Sequence, residues 1–282
     1  MNMVLHNIGE STAGPPITTA DALLGDDRGP YDYVLTNPPF GRKSSMTFTN
    51  EESDRETEDL TVNRADFWVT TSNKQINFVQ HVRSILKTTG TAAVVVPDNV
   101  LFEAGAGETV RRKLLDLTNL HTILRLPTGI FYRPGVKANV IFFDNRPAGP
   151  EPHTTEVWYY DLRTNIHFTL KKNPLTDNDL AEFVRLYKGD ESGVRRETWS
   201  EENPEGRWRR YTREEILGRD GTSLDIFWIR DRSLTDLDDL PSPEIIAGEL
   251  AESLEDAAGE VRDIVAELEA LGLGEIPVER DG

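Results

Sequence analysis

The sequence predicts an α/β chain: an open, mostly parallel sheet with one reversed edge strand, followed by a helical extension at the C-terminus. Three observations predict it. Apolar strand-like runs alternate with helical periods through the first half of the chain, which is how parallel βαβ units read. One late connection in that alternation has no helical period, so the strands it joins should pair antiparallel. From residue 243 onward the apolar residues fall into a heptad seam.

The elements follow in order. Strand-like runs occupy Tyr31–Thr36, Thr91–Val96, His121–Leu126 and Lys137–Phe143, and the first three stop at or just before a proline that cannot continue a ladder. Between the first and second, Phe78, Val79, Val82, Ile85 and Leu86 share one helical face. Ser72 with Gln75 resembles a capping box for that helix, and Gly90 suits its stop. Between the second and third, Val110, Leu114, Leu115 and Leu117 mark a helix over 108–117, entered through a loop at Gly105-Ala106-Gly107. Residues 127–136 hold Gly129, Pro134 and Gly135 and form the loop without a crossover. Val157–Leu170 reads as a hairpin, Asp177–Lys188 as an amphipathic helix ending at Gly189, and 189–206 as a linker. In the C-terminal seam, Leu250, Leu254, Ala257, Val261, Ile264, Leu268 and Leu271 alternate spacings of four and three. Ser242 and Pro243 suit its start and Gly272 its end. Gly248 and Gly259 each weaken such a helix by about 1 kcal/mol, so it needs a packing partner. The expected division is a core over 1–148, a hairpin and helix extension over 149–235, and a coiled-coil-like helix over 236–282.

Composition narrows the chemistry. The 282 residues contain no cysteine, which removes disulfides, thiolate metal sites and any reaction that needs a cysteine nucleophile. The histidines His6, His81, His121, His153 and His167 show no ligand spacing, so no metal is expected. No apolar run reaches membrane-spanning length and no signal pattern opens the chain, so a cytoplasmic location is expected by default. The net charge is −18, with 8 lysines and 23 arginines, the wrong sign for a protein that grips nucleic acid unaided. Either the chain works at high salt, or its nucleic-acid contacts belong mostly to a partner.

The segment Tyr31 to Gly41, Tyr-Asp-Tyr-Val-Leu-Thr-Asn-Pro-Pro-Phe-Gly, is the most informative. The prolines place Asn37 at the strand's C-terminal end, where open α/β sheets hold ligands. A side-chain amide oxygen (Asn37) and the neighbouring Pro38 carbonyl can together accept both hydrogens of an exocyclic amine. That turns the amine lone pair out of the base ring towards an electrophile. Pro38 and Pro39 stiffen this backbone, and Phe40 offers a face for an extruded base. A plain proline turn is the alternative reading of the tetrapeptide alone.

The stretch Asp32 to Gly41 resembles the catalytic motif of N6-adenine DNA methyltransferases, and more narrowly the modification (M) subunit of type I restriction–modification systems. Asn77 to Val82, Val94 to Phe102, Ile130 to Val140 and Trp158 to Arg163 resemble further segments of that family in the same order. The resemblance covers about residues 1–170. It implies a Rossmann-like S-adenosylmethionine-dependent methyltransferase sheet and methyl transfer to adenine N6 in DNA, with Asn37, Pro38, Pro39 and Phe40 as catalytic residues. Asp21, Ala22 and Leu23 match the family's acidic position near the cofactor's adenine, and with Asn37 they form the implied cofactor set. The family also implies a specificity subunit docked on the C-terminal helix, a second M subunit, a restriction subunit and a flipped target adenine. One departure stands out: Met1 to His6 resembles family sequence lying after the Gly-rich cofactor turn and after the acidic residue that holds the ribose. Gly105-Ala106-Gly107 is a poor substitute, because Pro97 to Ala104 separate it from its strand. The expectation is therefore a truncated or split M subunit with an incomplete cofactor pocket, which leaves the activity of the chain alone open. Two alternatives accompany it: a non-catalytic subunit-binding remnant, and a protein glutamine methyltransferase, whose family shares the Asn-Pro-Pro-aromatic motif. The polar stretch 41–71 reads equally as a lid or as a solvated insertion. Arg207-Trp208-Arg209-Arg210 reads as a packed edge more readily than as a phosphate contact.

Overall fold

The computed structural model describes residues 17, 19–24, 29–40, 45–49, 55–59, 62–132 and 136–232; for 45–49 and 55–59 it describes the backbone. The chain divides into two compact units, Met1–Arg230 and Asp231–Gly282. The helix expected over 236–282 lies outside the described residues.

Six strands form one sheet: β1 (Tyr31–Thr36), β4 (Leu86–Pro97), β6 (Ala138–Asn145), β5 (Thr118–Arg125), β7 (Glu156–Asp161) and β8 (Trp208–Thr212), in that spatial order. Strands β1 and β4 run parallel, as do β5 and β7, while β6 and β8 are reversed. The sheet is thus mostly parallel, as expected, but β6 is not an edge strand. It lies between β4 and β5, because β7 and β8 continue the sheet beyond β5. Both of those strands come from the expected 149–235 extension. The expected hairpin over 157–170 does not form, since β7 takes β8 as its antiparallel neighbour.

Helices cover both faces. On one, α1 (Lys74–Ile85) and α3 (Ala106–Leu117) bury Ile76, Val79, Val82, Val110, Leu114 and Leu115 against Val94, Ile141 and Phe143. On the other, α4 (Asp177–Lys188) packs Phe183 against Trp158, Tyr160 and Trp208. Neighbouring residues of the strands alternate between these layers: Ile141 and Phe143 face the first, Val140 and Phe142 the second. This two-sided burial gives the strands their near-continuous apolar character.

Local chemistry explains the boundaries. Asn73, not Ser72, caps α1, its Oδ1 accepting from the Gln75 and Ile76 main-chain N–H groups. Gly90 lies inside β4 rather than at the helix end, and a Cβ there would sit 2.7 Å from the Tyr31 carbonyl. Glycine therefore permits the close approach of β1 to β4. A short helix α2 (Asp98–Phe102) precedes α3, and Gly105 sits at φ 65 between them, as a connection rather than a phosphate-binding turn. Within 41–71, β2 (Ser45–Thr49) and β3 (Arg55–Asp59) pair antiparallel as a separate two-stranded ribbon. The following segment is docked on α1: the Gln80 amide both donates to the Val69 carbonyl and accepts from its N–H. Arg111, buried in α3, donates to the carbonyls of Val100, Glu103, Gly221 and Thr222. The guanidinium so ties α3 to the turn at Asp220–Thr222, and burial lowers its pKa to about 10.

Candidate active site

Strand register assembles one rim of the sheet. Thr36 pairs with Val94, Pro97 with Ala138, and Arg125 with both Asn139 and Asp161. Asn37, which follows Thr36, therefore leaves the sheet at the rim where β4, β5 and β7 end and β6 begins. This is the carboxyl edge of the parallel strands, where α/β sheets place their ligands. Asn37 is exposed, Pro38 buried, Pro39 exposed and Phe40 half-buried. The Asn37 amide has no hydrogen-bond partner among the described residues, so its oxygen is available as an acceptor. Phe40 meets Phe131 edge-on, with centroids 5.5 Å apart and planes at 78°. That contact joins the Asn37–Phe40 turn to the loop between β5 and β6, and both rings pack against the layer that holds Leu124 and Leu126. In the same loop Gly129 has φ 81, and a Cβ would overlap the Phe168 carbonyl oxygen, so only glycine fits.

Behind this turn the strand ends are bound by one charged cluster. Arg163 donates to both Asp98 carboxylate oxygens at 2.7 and 2.9 Å, and to the carbonyls of Leu126 and Ala138. Asn139 donates to Asp98 Oδ1 at 2.8 Å. Burial pushes the Asp98 carboxyl up, but the Arg163 guanidinium and the Asn139 amide outweigh it and hold the group below its ordinary value. Next to it Asp161 accepts from the main-chain N–H groups of Arg163 and Thr164, fixing the turn that carries Arg163. Four separate stretches of sequence meet here, and sequence pattern alone assigns none of these residues a role. Asp98, Ala138, Asn139, Asp161 and Arg163 do fall within the family-like segments 94–102, 130–140 and 158–163, as does Phe131.

Asp21, Ala22 and Leu23 form a turn. The Leu23 N–H donates to Asp21 Oδ1 at 2.9 Å, the Leu24 N–H donates to the Asp21 carbonyl, and Leu23 is buried. Asp21 and Ala22 are exposed. The second Asp21 carboxylate oxygen and the Ala22 N–H have no partner among the described residues, which leaves an acceptor beside a donor. An adenine edge carries the complementary pair, an amine donor and a ring-nitrogen acceptor, so this turn fits the adenine end of S-adenosylmethionine.

The arginines of 207–210 are committed within the protein. Trp208 is fully buried, Arg207 donates to the carbonyls of Asp161 and Thr164, Arg209 lies over the Trp199 ring, and Arg210 pairs with Glu156. Among the described residues no His/Cys/Asp/Glu cluster could hold a metal, and no helix is long and apolar enough to cross a membrane.

A mostly parallel sheet with an Asn-Pro-Pro-Phe turn at its carboxyl edge has the fold and motif expected of the amine-methylating class. Comparison with known proteins makes this particular. Residues 1–220 match the N-6 DNA methylase family model, and the chain belongs to that family. It is 40% identical to the type I restriction enzyme EcoKI methylase subunit of Escherichia coli (strain K12), over 96% of this chain and 52% of that protein. It is 39% identical to the StySPI methylase subunit of Salmonella potsdam, over 96% and 54%. The crystal structure of the type I restriction enzyme EcoKI M protein superimposes with a TM-score of 0.65 at 37% identity, covering 95% of this chain and 56% of that one. The chain thus spans about half the length of the curated relatives it matches.

Proposed function

We propose that this chain carries the catalytic turn of a type I modification subunit, and that its reaction is methyl transfer from S-adenosylmethionine to adenine N6 in DNA. The observation that carries the reading is the exposed Asn37 amide, unpartnered among the described residues, at the carboxyl edge of the sheet, next to a ring already braced by Phe131. When bound, S-adenosylmethionine would supply the electrophilic methyl group, its S–CH3 bond breaking as the N–C bond forms, and would leave as S-adenosylhomocysteine. The chain's own residues prepare the nucleophile. Asn37 Oδ1 and the Pro38 carbonyl accept the two N6 hydrogens of a flipped adenine, which takes the nitrogen lone pair out of conjugation with the ring. Phe40 stacks on the base, and Phe131 holds Phe40 at its angle. As nitrogen gains the methyl group it gives up one of those hydrogens as a proton, through the same acceptors to solvent. Asp21, Ala22 and Leu23 hold the cofactor's adenine.

The surface agrees with a divided labour. With a net charge of −18 and the 207–210 arginines engaged internally, this chain leaves sequence reading and most phosphate contacts to a specificity subunit, docked on the heptad seam within 236–282. A second M subunit and a restriction subunit complete the assembly. The test is N6-methyladenine formation by the chain assembled with its specificity subunit, measured on digested DNA. Asn37→Ala should lower the rate by on the order of 10²–10³-fold, the scale of losing one preorganised polar contact to a reacting group. Wild-type rates from that variant would refute the reading.

A further inference from the structure

Arg64 is absent from every motif in the sequence, yet it links three separate parts of the fold. Its side chain is 10% exposed. Nε and Nη2 donate to the two Asp66 oxygens at 3.0 and 2.7 Å, a fork-to-fork pair. Nη1 donates to the Ala22 carbonyl at 3.3 Å and lies 3.1 Å from His81 Nδ1, and the guanidinium stacks over Phe67 at 4.6 Å. A guanidinium has only donors, so in this contact Nη1 donates and His81 Nδ1 accepts. His81 is buried on α1, and the Arg64 hydrogen bond holds the Asp66 carboxyl down to about 2. Among the described residues, anchors on a helix of the core and in its own segment therefore help fix the direction of the guanidinium. Its third direction is the carbonyl of Ala22, inside the otherwise exposed turn whose free carboxylate oxygen and free N–H suit an adenine edge. Apart from Leu23 burial, Arg64 supplies the tertiary hydrogen bond to that turn among the described residues.

We propose that Arg64 is a positioning residue for the adenine end of S-adenosylmethionine, holding the Asp21–Leu24 turn against α1 so that Asp21 and Ala22 meet the base in register. This rests on the cofactor reading of the turn. It also gives a role to the residues after the catalytic motif. They carry the clamp of the nucleoside site, so the cofactor turn and the segment following the base-binding turn are held through one side chain.

The Leu23 and Leu24 amides donate inside the turn, so their exchange with solvent reports its order without ligand. The experiment uses the ¹⁵N-labelled full chain as wild type, Arg64→Lys and Arg64→Ala, the lysine variant keeping the charge but losing the fork. The first readout is amide exchange at Leu23 and Leu24, with Val79 and Val82 of α1 as internal controls. The second is titration with adenosine, followed at the Ala22 and Leu23 amides. Both variants should exchange about five- to tenfold faster at Leu23 and Leu24 with α1 unchanged, and should bind adenosine correspondingly more weakly, the scale of one ordinary hydrogen bond. Unchanged turn exchange in Arg64→Lys would overturn the clamp. Faster exchange with wild-type adenosine affinity would overturn its role toward the cofactor. Absence of any adenosine-induced shift at Ala22 in wild type would overturn the cofactor reading, and the proposal with it.

Discussion

Asp98 and Arg163 show how one charge pair positions the sheet rim from which Asn37 emerges. The carboxylate is 19% and the guanidinium 11% exposed, and between them they make contacts to the ends of β4, β5, β6 and β7. Removing one partner strands the other charge in a poorly solvated place. Arg163→Ala should therefore cost about 2–3 kcal/mol, below the figure for a deeply buried pair because both groups keep some water contact. A urea midpoint unchanged from wild type would contradict this. The pH dependence has a definite sign. The folded-state pKa of Asp98 lies below its ordinary 3.8, so the unfolded chain binds the proton more readily. The contribution is complete above the unfolded pKa and is lost as pH falls through the lower folded value. Asp98→Asn should be less stable than wild type at neutral pH, and the gap should narrow as pH drops below about 4. A gap that stays constant down to acid unfolding would show that Asp98 is not ionised in the folded protein.

At the scale of elements, the sequence is legible wherever the signal is local. Strand β1 and helix α4 have the expected bounds, because prolines end the first while an apolar face and Gly189 delimit the second. The parallel β1–β4 and antiparallel β5–β6 pairings also follow from the connections between them. What fails is non-local. The β7–β8 pairing joins residues separated by a helix and a long irregular stretch, and alternation within 157–170 cannot reveal that partner. Gly90 departs from its expected place at a helix end for the same reason, since the requirement for glycine comes from the Tyr31 carbonyl, distant in sequence. The α1 cap is a near miss: Ser72 and Asn73 both have capping side chains, and the choice depends on backbone direction. Asn73→Ala should destabilise the protein by about 1 kcal/mol in thermal or urea unfolding, while Ser72→Ala should be nearly neutral. The reverse order would restore Ser72 as the cap. At the site, the tetrapeptide and the acidic turn are legible as motifs. Phe131 and Arg163 lie in family-like segments but show no role there, and Arg64 lies in none, because their contacts arise only where separate chain segments meet.

For the whole molecule the decisive quantity is charge. A chain at −18 repels a polyanion, and the arginines of 207–210, which the sequence reads as a packed edge more readily than as a phosphate contact, are engaged with Asp161, Thr164, Trp199 and Glu156. Under the proposed function, the rim that prepares the amine is therefore separate from any long-range attraction for DNA. On that proposal, affinity is expected from a partner that brings its own cations. Each phosphate such a partner neutralises releases a counterion, and the logarithm of the binding constant falls by about 0.9 per contact for each tenfold rise in salt. The chain alone should bind duplex DNA more weakly than about 10⁻⁵ M at physiological salt, near or below ordinary non-specific binding. Its complex with the specificity subunit should bind far more tightly, with a salt slope of several contacts. Fluorescence anisotropy across a salt series, on the chain and on the complex, measures both. If the isolated chain showed the tight affinity and steep slope, its own surface would hold a phosphate-binding face, and the acidic composition would instead reflect adaptation to a salty interior.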